Sequence, residues 1–349
     1  MSRIAIIGSG AWGTALAISL AQRRAEQKDQ RHGHSIALWS HTAAVADAMA
    51  QHRENRTYLP GYKVPDAVQP TADLAQALAS AEIVIGVMPS AHVHAIYSSM
   101  APHLTADQVI VSATKGIVTS GFDTRSYQRI TEVIAAALLA HQLSLPRAVL
   151  SGPSFAQEVA AGQPTAMTIA CLDTTLAARL QEELSGPALR LYTNDDVIGV
   201  ELGGALKNVI AIATGIVGGL ELGHNSAAAL ITRGIAEITR LAVACGGRRE
   251  TMAGLAGLGD LVLTCTGELS RNRRVGFELG KGHRIDDILE GMGGKVAEGV
   301  LTTRAALGLA TAHGIEMPIT TQVDAILHHG KSPREAVAEL MRRPGRDEL

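Results

Sequence analysis

The opening residues of this chain constrain its fold more than any other segment does. Residues 3–8 read RIAIIG, a short apolar run that is typical of a buried parallel strand. GSGAWG follows at 8–13, and residues 12–24 carry apolar side chains at helical spacing. A strand, a glycine-rich turn and a helix in this order predict a Rossmann-type dinucleotide-binding unit.

Each glycine of GSGAWG has a separate predicted task. Gly8 allows a tight turn, Gly10 lets the backbone approach a pyrophosphate, and Gly13 lets the helix pack close to the strand. The start of the helix then offers N–H groups and a positive dipole end to the anion. The alternative is a strand–helix turn that binds nothing, because glycine is common in this chain (36 residues).

Strands and helices alternate along residues 1–194, which predicts an α/β domain built on a doubly wound parallel sheet. Further strands are predicted at 35–40, 83–89, 109–116, 148–154, 164–171 and 189–194. Helical patterns separate most of them, as at 43–52 and 131–141. The polar segment 25–33 is predicted to be a surface loop.

The texture of the sequence changes near residue 195, because few strand candidates remain beyond it. Helices are predicted at 197–221, 226–245, 285–291 and 300–313. We therefore expect an all-α second domain at 195–343, followed by a disordered tail at 344–349.

The composition indicates a globular protein and excludes several kinds of partner. With 18% charged residues and a net charge of −2, the chain is not expected to bind nucleic acid or an acidic membrane surface. Cys171, Cys245 and Cys265 stand far apart, and no HExxH pair occurs, so no metal site is expected. The N-terminal apolar run is shorter than a signal-peptide core, and the apolar stretch 209–220 is short of the roughly 20 residues of a membrane span, so we expect a cytoplasmic protein without stable membrane insertion.

The residues after the second strand bear on which nicotinamide cofactor is used. An acidic residue there usually holds the ribose 2′-hydroxyl of NAD. This chain has Ser40 and His41 instead, which can donate hydrogen bonds to a 2′-phosphate. Both NAD(H) and NADP(H) are therefore expected to bind, although His41 can equally be an ordinary exposed loop residue.

Several motifs together closely resemble one enzyme family along nearly the whole chain. They are GSGAWGTALA at 8–17, SATKG at 112–116, SGPSFAQEVAAGQPTA at 151–166, LGGALKNVIAIATG at 202–215, ALITRGIAEI at 229–238, GLAGLGDLVLTCTGELSRNRR at 254–274 and VAEGVLT at 296–302. The chain resembles the bacterial NAD(P)-dependent glycerol-3-phosphate dehydrogenases. That resemblance implies a Rossmann-type domain followed by a helical domain like that of the 6-phosphogluconate dehydrogenases. It also implies reversible reduction of dihydroxyacetone phosphate to sn-glycerol 3-phosphate, which supplies the backbone of phospholipids.

The resemblance also implies roles by position. Lys207 is the implied catalytic proton donor and acceptor, and Asp260 is implied to orient Lys207 or the substrate. The implied cofactor contacts are Ala11, Trp12, Lys115, Ala156, Arg271, Val296 and Glu298. The implied substrate contacts are Lys115, Gly152, Ser154, Lys207, Asp260, Ser270, Arg271 and Asn272.

The chemistry of these residue types supports part of that set independently. Reducing a ketone builds negative charge on oxygen, which a lysine stabilises and protonates, and Lys207 lies in an otherwise apolar helix. SRNRR at 270–274 offers guanidinium groups to a phosphate. The alternatives are that Lys207 extends to the surface, that SRNRR is a solvated basic turn, and that Asp260 is a helix cap.

Two other functions fit the same outline. One is a two-domain β-hydroxyacid or hexitol-type dehydrogenase, which binds a carboxylate or a longer sugar acid. The other is a nucleotide-sensing protein that has lost catalysis, against which the joint presence of Lys115, Lys207, Asp260 and Arg271 argues. A homodimer is left open.

Overall fold

The structure is a computed structural model that describes residues 2–26, 34–119, 127–292, 297–345 and 347. Val296 and most of the predicted loop at 25–33 lie outside the described residues, as do positions 346, 348 and 349 of the predicted tail.

One large sheet organises the first half of the chain. The strands are β1 Arg3–Ile7, β2 Ser35–Trp39, β3 Glu54–Asn55, β4 Leu59–Lys63, β5 Val68–Thr71, β6 Ile83–Gly86, β7 Val109–Ser112, β8 Ile117–Thr119, β9 Tyr127–Arg129, β10 Arg147–Ser151, β11 Thr165–Ala170 and β12 Leu189–Asn194. The large sheet has the order β12-β11-β10-β7-β6-β1-β2-β5, while β3–β4 and β8–β9 form two small sheets. Every neighbouring pair in the large sheet is parallel except β10 and β11.

Helices cover the faces of this sheet and make up most of the second half of the chain. They are α1 Ala11–Glu26, α2 Ala43–His52, α3 Leu74–Leu78, α4 Val93–Met100, α5 Ile130–Leu139, α6 Ala156–Ala160, α7 Thr174–Leu184, α8 Val197–Gly219, α9 Gly223–Ala244, α10 Arg249–Met252, α11 Asp260–Thr266, α12 Arg271–Gly280, α13 Ile285–Glu290, α14 Glu298–Ala312, α15 Pro318–His329 and α16 Pro333–Met341. A single π-helical turn, Leu255–Gly259, precedes α11. The predicted fold class, a parallel-dominated α/β sheet followed by a helical region, is confirmed.

The pairing of β10 with β11 departs from the predicted parallel sheet. A parallel crossover needs a connection that carries the chain back across the sheet, usually a helix. The connection here contains only the five-residue helix α6, which packs against α1. The chain therefore turns back directly, and β11 runs antiparallel to β10.

The edge strand β5 was not predicted from the sequence. Its sequence, VQPT, contains Pro70, which cannot donate a ladder hydrogen bond and is tolerated only at the edge of a sheet. The short strand pairs β3–β4 and β8–β9 also gave no recognisable alternating pattern.

The chain divides into two compact units. The first comprises Met1–Lys115 and Gln128–Glu201, and its core is the apolar side chains of the sheet, including the fully buried Ile6, Leu38 and Ile85. The second comprises Gly116–Tyr127 and Leu202–Leu349. Helix α8 thus begins in the first unit and continues in the second.

Helix α8 is long and apolar enough to cross a membrane by length and composition alone. Within the protein, 94% of its most apolar 18-residue segment is buried. It is therefore a buried core helix, and Lys207 is carried near its middle.

Candidate active site

The glycine-rich turn has the geometry that its motif predicts. Gly8 has φ +121°, and a Cβ atom at that position would lie 2.0 Å from the carbonyl oxygen of Val87. A Cβ atom on Gly13 would lie 1.9 Å from the carbonyl oxygen of Gly8, so only glycine lets α1 start this close to β1. Beside Gly10, in contrast, there is open space, with no heavy atom within 4 Å of an added Cβ.

Ser40 and His41, the two residues predicted to donate to a cofactor 2′-phosphate, differ in exposure at the end of β2. Ser40 is only 2% exposed, and its hydroxyl donates to the carbonyl oxygen of Thr42 at 3.1 Å. His41 is exposed, and its ring meets the Trp39 ring edge-on at 6.1 Å between centroids. Of these two residues, His41 is the accessible one, whereas Ser40 shapes the turn.

Three of the predicted substrate contacts lie together at the carboxyl ends of β7 and β10. The Lys115 ammonium donates to the carbonyl oxygen of Gly152 at 3.1 Å, and the Ser154 hydroxyl donates to the same oxygen at 3.0 Å. Gly152 has φ +134°, a conformation that favours glycine. Ligands of open parallel sheets bind at this edge, so these three residues are well placed to contact one.

The predicted cofactor contacts of α1 and α6 share one apolar cluster. Ala11, Trp12 and Ala156 pack, half-buried, against a buried core that contains Ala15 and Val159. The short helix α6 is thereby fixed beside the helix that starts at the glycine-rich turn.

Lys207 is buried in a network of polar partners within the second unit. Its side chain is 9% exposed, and its ammonium donates to a carboxylate oxygen of Asp260 in a short hydrogen bond and to the hydroxyl of Thr264 at 2.7 Å. The Thr264 hydroxyl in turn donates to the carbonyl oxygen of Asp260 at 2.6 Å. Lys207 therefore does not extend to the surface, and the carboxylate of Asp260 binds the ammonium rather than capping a helix.

The π-helical turn Leu255–Gly259 delivers Asp260 to this position. The N–H of Gly259 donates to the carbonyl oxygen of Gly254 at 3.1 Å, which widens the turn immediately before α11. A Cβ atom on Gly257 would lie 2.3 Å from the carbonyl oxygen of Met252, so the wide turn depends on glycine. Single π turns often occur at functional sites.

SRNRR is the first turn of α12 rather than a solvated surface turn. The Ser270 hydroxyl, 4% exposed, accepts a hydrogen bond from the N–H of Arg273 at 3.2 Å and so caps the helix. The Asn272 amide donates to Asn208 at 3.0 Å and accepts from the N–H of Gly299 at 2.9 Å, joining α12 to α8 and α14. Arg271 is exposed between these two buried neighbours.

Arg271 and Glu298 affect each other electrostatically at the helix starts. Desolvation of the Arg271 guanidinium lowers its pKa, and the nearby Glu298 carboxylate opposes that shift. Both residues occupy the first helical position, Arg271 on α12 and Glu298 on α14.

Glycines hold α8 and α12 in close contact. Cβ atoms on Gly215 of α8 and Gly276 of α12 would each lie 2.0 Å from a carbonyl oxygen of the other helix, those of Arg273 and Ile212. This contact fixes the start of α12 relative to α8, the helix that carries Lys207.

From the sequence, Thr264 and Asn208 could equally contact substrate hydroxyls or serve in packing, and in the structure each bonds directly to a predicted site residue. Sequence reasoning missed the buried Asn55, which bonds to the glycine-rich turn. No local pattern marks Asn55, since its partner Thr14 is 41 positions away in the sequence. Among the residues that the structure describes, no cluster of side chains suits a metal ion.

Comparison with known proteins identifies the relatives of this chain. Residues 3–177 match the N-terminal family described as NAD-dependent glycerol-3-phosphate dehydrogenase N-terminus, and residues 196–338 match the corresponding C-terminal family. A protein of Acidobacterium capsulatum named glycerol-3-phosphate dehydrogenase [NAD(P)+] is 62% identical over the full length of both chains. A Koribacter versatilis protein of the same name is 58% identical over 100% of this chain and 99% of its own.

A solved structure has the same fold over nearly the same length. The crystal structure of glycerol-3-phosphate dehydrogenase from Coxiella burnetii superposes with a TM-score of 0.88 and 43% identity, covering 98% of this chain and 99% of that one.

Proposed function

Because the chain belongs to the NAD-dependent glycerol-3-phosphate dehydrogenase family, we propose that Lys207 is the proton donor of its reaction. That reaction is the NAD(P)H-dependent reduction of dihydroxyacetone phosphate to sn-glycerol 3-phosphate, which makes the protein an oxidoreductase. Forward turnover consumes one proton, and the reverse reaction returns it.

The first unit has the features needed to hold a nicotinamide dinucleotide. Gly8, Gly10 and Gly13 form a cradle. A side chain at Gly8 or Gly13 would collide with backbone atoms, while Gly10 leaves open space for an anion. The first N–H groups of α1 and its positive dipole end favour a pyrophosphate. We assign Ala11, Trp12, Lys115 and Ala156 to the same cofactor, and His41 to its 2′ substituent.

The chemistry divides between cofactor and protein. The reduced nicotinamide, when bound, supplies the hydride that reduces the carbonyl carbon. Negative charge then develops on the carbonyl oxygen, where the Lys207 ammonium stabilises it and transfers one proton. The observation that carries this role is the buried ammonium, held between Asp260 and Thr264.

Asp260 and Thr264 orient the reactive group rather than react themselves. An ammonium has three protons, and these two residues accept two of them. Their hydrogen bonds hold the Lys207 nitrogen in position for the substrate oxygen. After the transfer, the negative charge of Asp260 remains beside the neutral amine of Lys207. This charge favours reprotonation of the amine from solvent.

The phosphate of the substrate is assigned to the start of α12. Arg271 offers a guanidinium fork, and the first turn of the helix adds a positive dipole end. Ser270 and Asn272 act there by capping the helix and by joining it to α8 and α14, so they hold Arg271 in place. Lys115, Gly152 and Ser154 are proposed as the substrate contacts of the first unit.

A substrate panel tests the reaction and separates it from its rivals. Oxidation of NADH and NADPH is followed with dihydroxyacetone phosphate, unphosphorylated dihydroxyacetone and a 2-ketoacid, and reduction of NAD+ and NADP+ is followed with a β-hydroxyacid. We expect efficient turnover only with the phosphorylated ketone. Preference for a carboxylate substrate would support the β-hydroxyacid reading, and binding of NADH without any turnover would support a sensor.

Three wider statements complete the proposal. The product supplies the glycerol phosphate backbone of phospholipids. The enzyme acts in the cytoplasm on a small phosphorylated molecule. A homodimer stays a prediction, which sedimentation of the purified protein tests directly.

A further inference from the structure

A buried asparagine reaches the glycine-rich turn from a distant part of the sequence. Asn55 lies in β3, is 1% exposed, and donates from its amide nitrogen to the carbonyl oxygen of Ser9 and to the hydroxyl of Thr14, both at 2.8 Å. The Thr14 hydroxyl donates to the same Ser9 oxygen at 3.2 Å. One backbone carbonyl of the turn therefore receives two hydrogen bonds from buried side chains.

The partners of Asn55 fix which way its amide faces. The Ser9 carbonyl can only accept, so the nitrogen of the amide must face it. The amide oxygen accepts from the N–H of Tyr58 at 3.2 Å, on the other side. The side chain is thus locked between the strand pair β3–β4 and the turn.

Fixing the Ser9 oxygen also fixes the direction of the next N–H group. In a planar trans peptide, the carbonyl oxygen and the following N–H point in opposite directions. When Asn55 holds the oxygen of Ser9, the N–H of Gly10 must point away from Asn55. Gly10 is also the turn glycine with open space beside it.

We propose that Asn55 is a positioning residue for the pyrophosphate of the nicotinamide cofactor, an inference that rests on the cofactor part of the proposed function. It holds the Ser9–Gly10 peptide in the orientation that presents the Gly10 N–H to the anion. Thr14 assists by a second hydrogen bond to the same oxygen. Asn55 itself does not touch the cofactor.

The replacement Asn55→Asp tests this role with almost no change in shape. The variant keeps an oxygen that accepts from the N–H of Tyr58. Its other carboxylate oxygen faces the Ser9 carbonyl oxygen, and because the two repel each other, the Ser9–Gly10 peptide is expected to rotate. The hydrogen bond from the Gly10 N–H to the charged pyrophosphate is then lost. We therefore expect calorimetry to show about tenfold weaker binding of NADH and of ADP-ribose. Adenosine, which lacks the diphosphate, should bind within about twofold of the wild type.

The pH dependence of the same variant distinguishes positioning from general damage. A protonated carboxyl can donate to the Ser9 oxygen again, so NADH affinity in Asn55→Asp should recover as the pH is lowered. The wild-type amide does not titrate and shows no such recovery.

Two further variants complete the test. Arg56→Gln is the control for charge, because it also makes the local charge one unit more negative but alters an exposed residue paired with Glu54; its NADH affinity should stay at the wild-type value. If Asn55→Asp does not fold, the near-isosteric Thr14→Val removes the second hydrogen bond, and it should weaken NADH and ADP-ribose by a smaller factor.

Several results would overturn the inference. They are unchanged ADP-ribose binding in a folded Asn55→Asp protein, equal losses for ADP-ribose and adenosine, and, where only Thr14→Val folds, unchanged NADH binding in that variant. A wild-type protein that binds no NADH would instead refute the proposed function.

Discussion

Lys207 and Asp260 form a buried ion pair whose role is better explained by chemistry than by stability. Desolvating two charges costs about as much as their attraction returns, and apolar replacements are often at least as stable. The neighbouring thiol of Cys265 does not share the proton chemistry, because burial raises its pKa to about 12 and keeps it protonated. At the residue scale, a carboxylate and a hydroxyl that hold one buried ammonium fit the proposed role of Lys207 as proton donor.

The replacement Arg271→Ala tests the assignment of the phosphate. It removes a guanidinium whose hydrogen bonds to a charged group are each worth about 1.5–3 kcal/mol. The KM for dihydroxyacetone phosphate should rise at least about tenfold, while the already poor turnover of dihydroxyacetone should change far less. The exposed Arg284, which lies outside the SRNRR segment, provides the matched Arg→Ala control. Equal losses for both substrates would mean that Arg271 acts on the cofactor or on the fold.

The replacement His41→Asp tests the position of the cofactor 2′ group. The structure favours His41 over Ser40 for this test, because a carboxylate at Ser40 would be buried within the turn. Repulsion should raise the KM for NADPH about tenfold and leave the KM for NADH nearly unchanged. His41→Asn, which adds no charge, should change the ratio of the KM for NADPH to the KM for NADH much less. An unchanged KM for NADPH in His41→Asp would contradict the placement.

The site residues differ in how well the sequence alone predicts them. Gly8, Gly10 and Gly13 were predictable because the turn that needs them is local. The Lys207–Asp260 pair spans 53 positions, and only the resemblance to a family brought the two together. Asn55 had neither a local motif nor a quoted family motif, so it became visible only through its contacts.

At the scale of elements, the second unit depends on how closely its helices pack. Helices α8 and α12 meet through glycines whose missing side chains let the backbones touch. Because α12 begins with Arg271 and α8 carries Lys207, the spacing of these helices would set the distance between the proposed phosphate site and the proposed proton donor. The wide π turn before α11 similarly decides where Asp260 lies.

Two glycine replacements on α8 separate packing from helix propensity. Alanine is favoured over glycine in a helix by about 1 kcal/mol. In Gly218→Ala the new methyl group would meet only the Phe277 ring at 3.5 Å, so slight stabilisation is expected. In Gly215→Ala it would lie 2.0 Å from the Arg273 carbonyl oxygen, and overpacking should destabilise the protein by about 1–3 kcal/mol.

Thermal unfolding and kinetics of both glycine variants provide the measurement. Gly215→Ala should also raise the KM for dihydroxyacetone phosphate, because α12 is displaced from α8, whereas Gly218→Ala should not. Equal stability of the two variants would contradict the close packing of α8 on α12.

At the scale of the whole molecule, the order of strands and helices was largely predictable and their long-range pairing was not. The seven predicted strands are all present, because most of them are short apolar runs between turn residues. The antiparallel β11, the edge strand β5 and the membership of Gly116–Tyr127 in the second unit depend on contacts between distant segments. No hydrophobic period encodes such contacts.

The central claim is that Lys207 supplies the proton, and the turnover number of Lys207→Ala tests it most directly. Loss of a general acid costs about 10²–10⁴-fold in rate, so turnover at saturating dihydroxyacetone phosphate and NADH should fall at least about a hundredfold. Lys207→Arg should recover little, because a guanidinium hardly releases its proton. Lys281→Ala, at an exposed lysine that stacks on Phe277, is the matched control and should keep wild-type turnover.

The measurement is made on protein whose fold and NADH binding have been verified by circular dichroism and calorimetry. The predicted result is a folded Lys207→Ala variant that binds NADH with wild-type affinity and turns over at one hundredth of the wild-type rate or less. A variant that binds NADH and keeps near-wild-type turnover at saturation, with only the KM for dihydroxyacetone phosphate raised, would contradict the account and reduce Lys207 to an anchor for substrate.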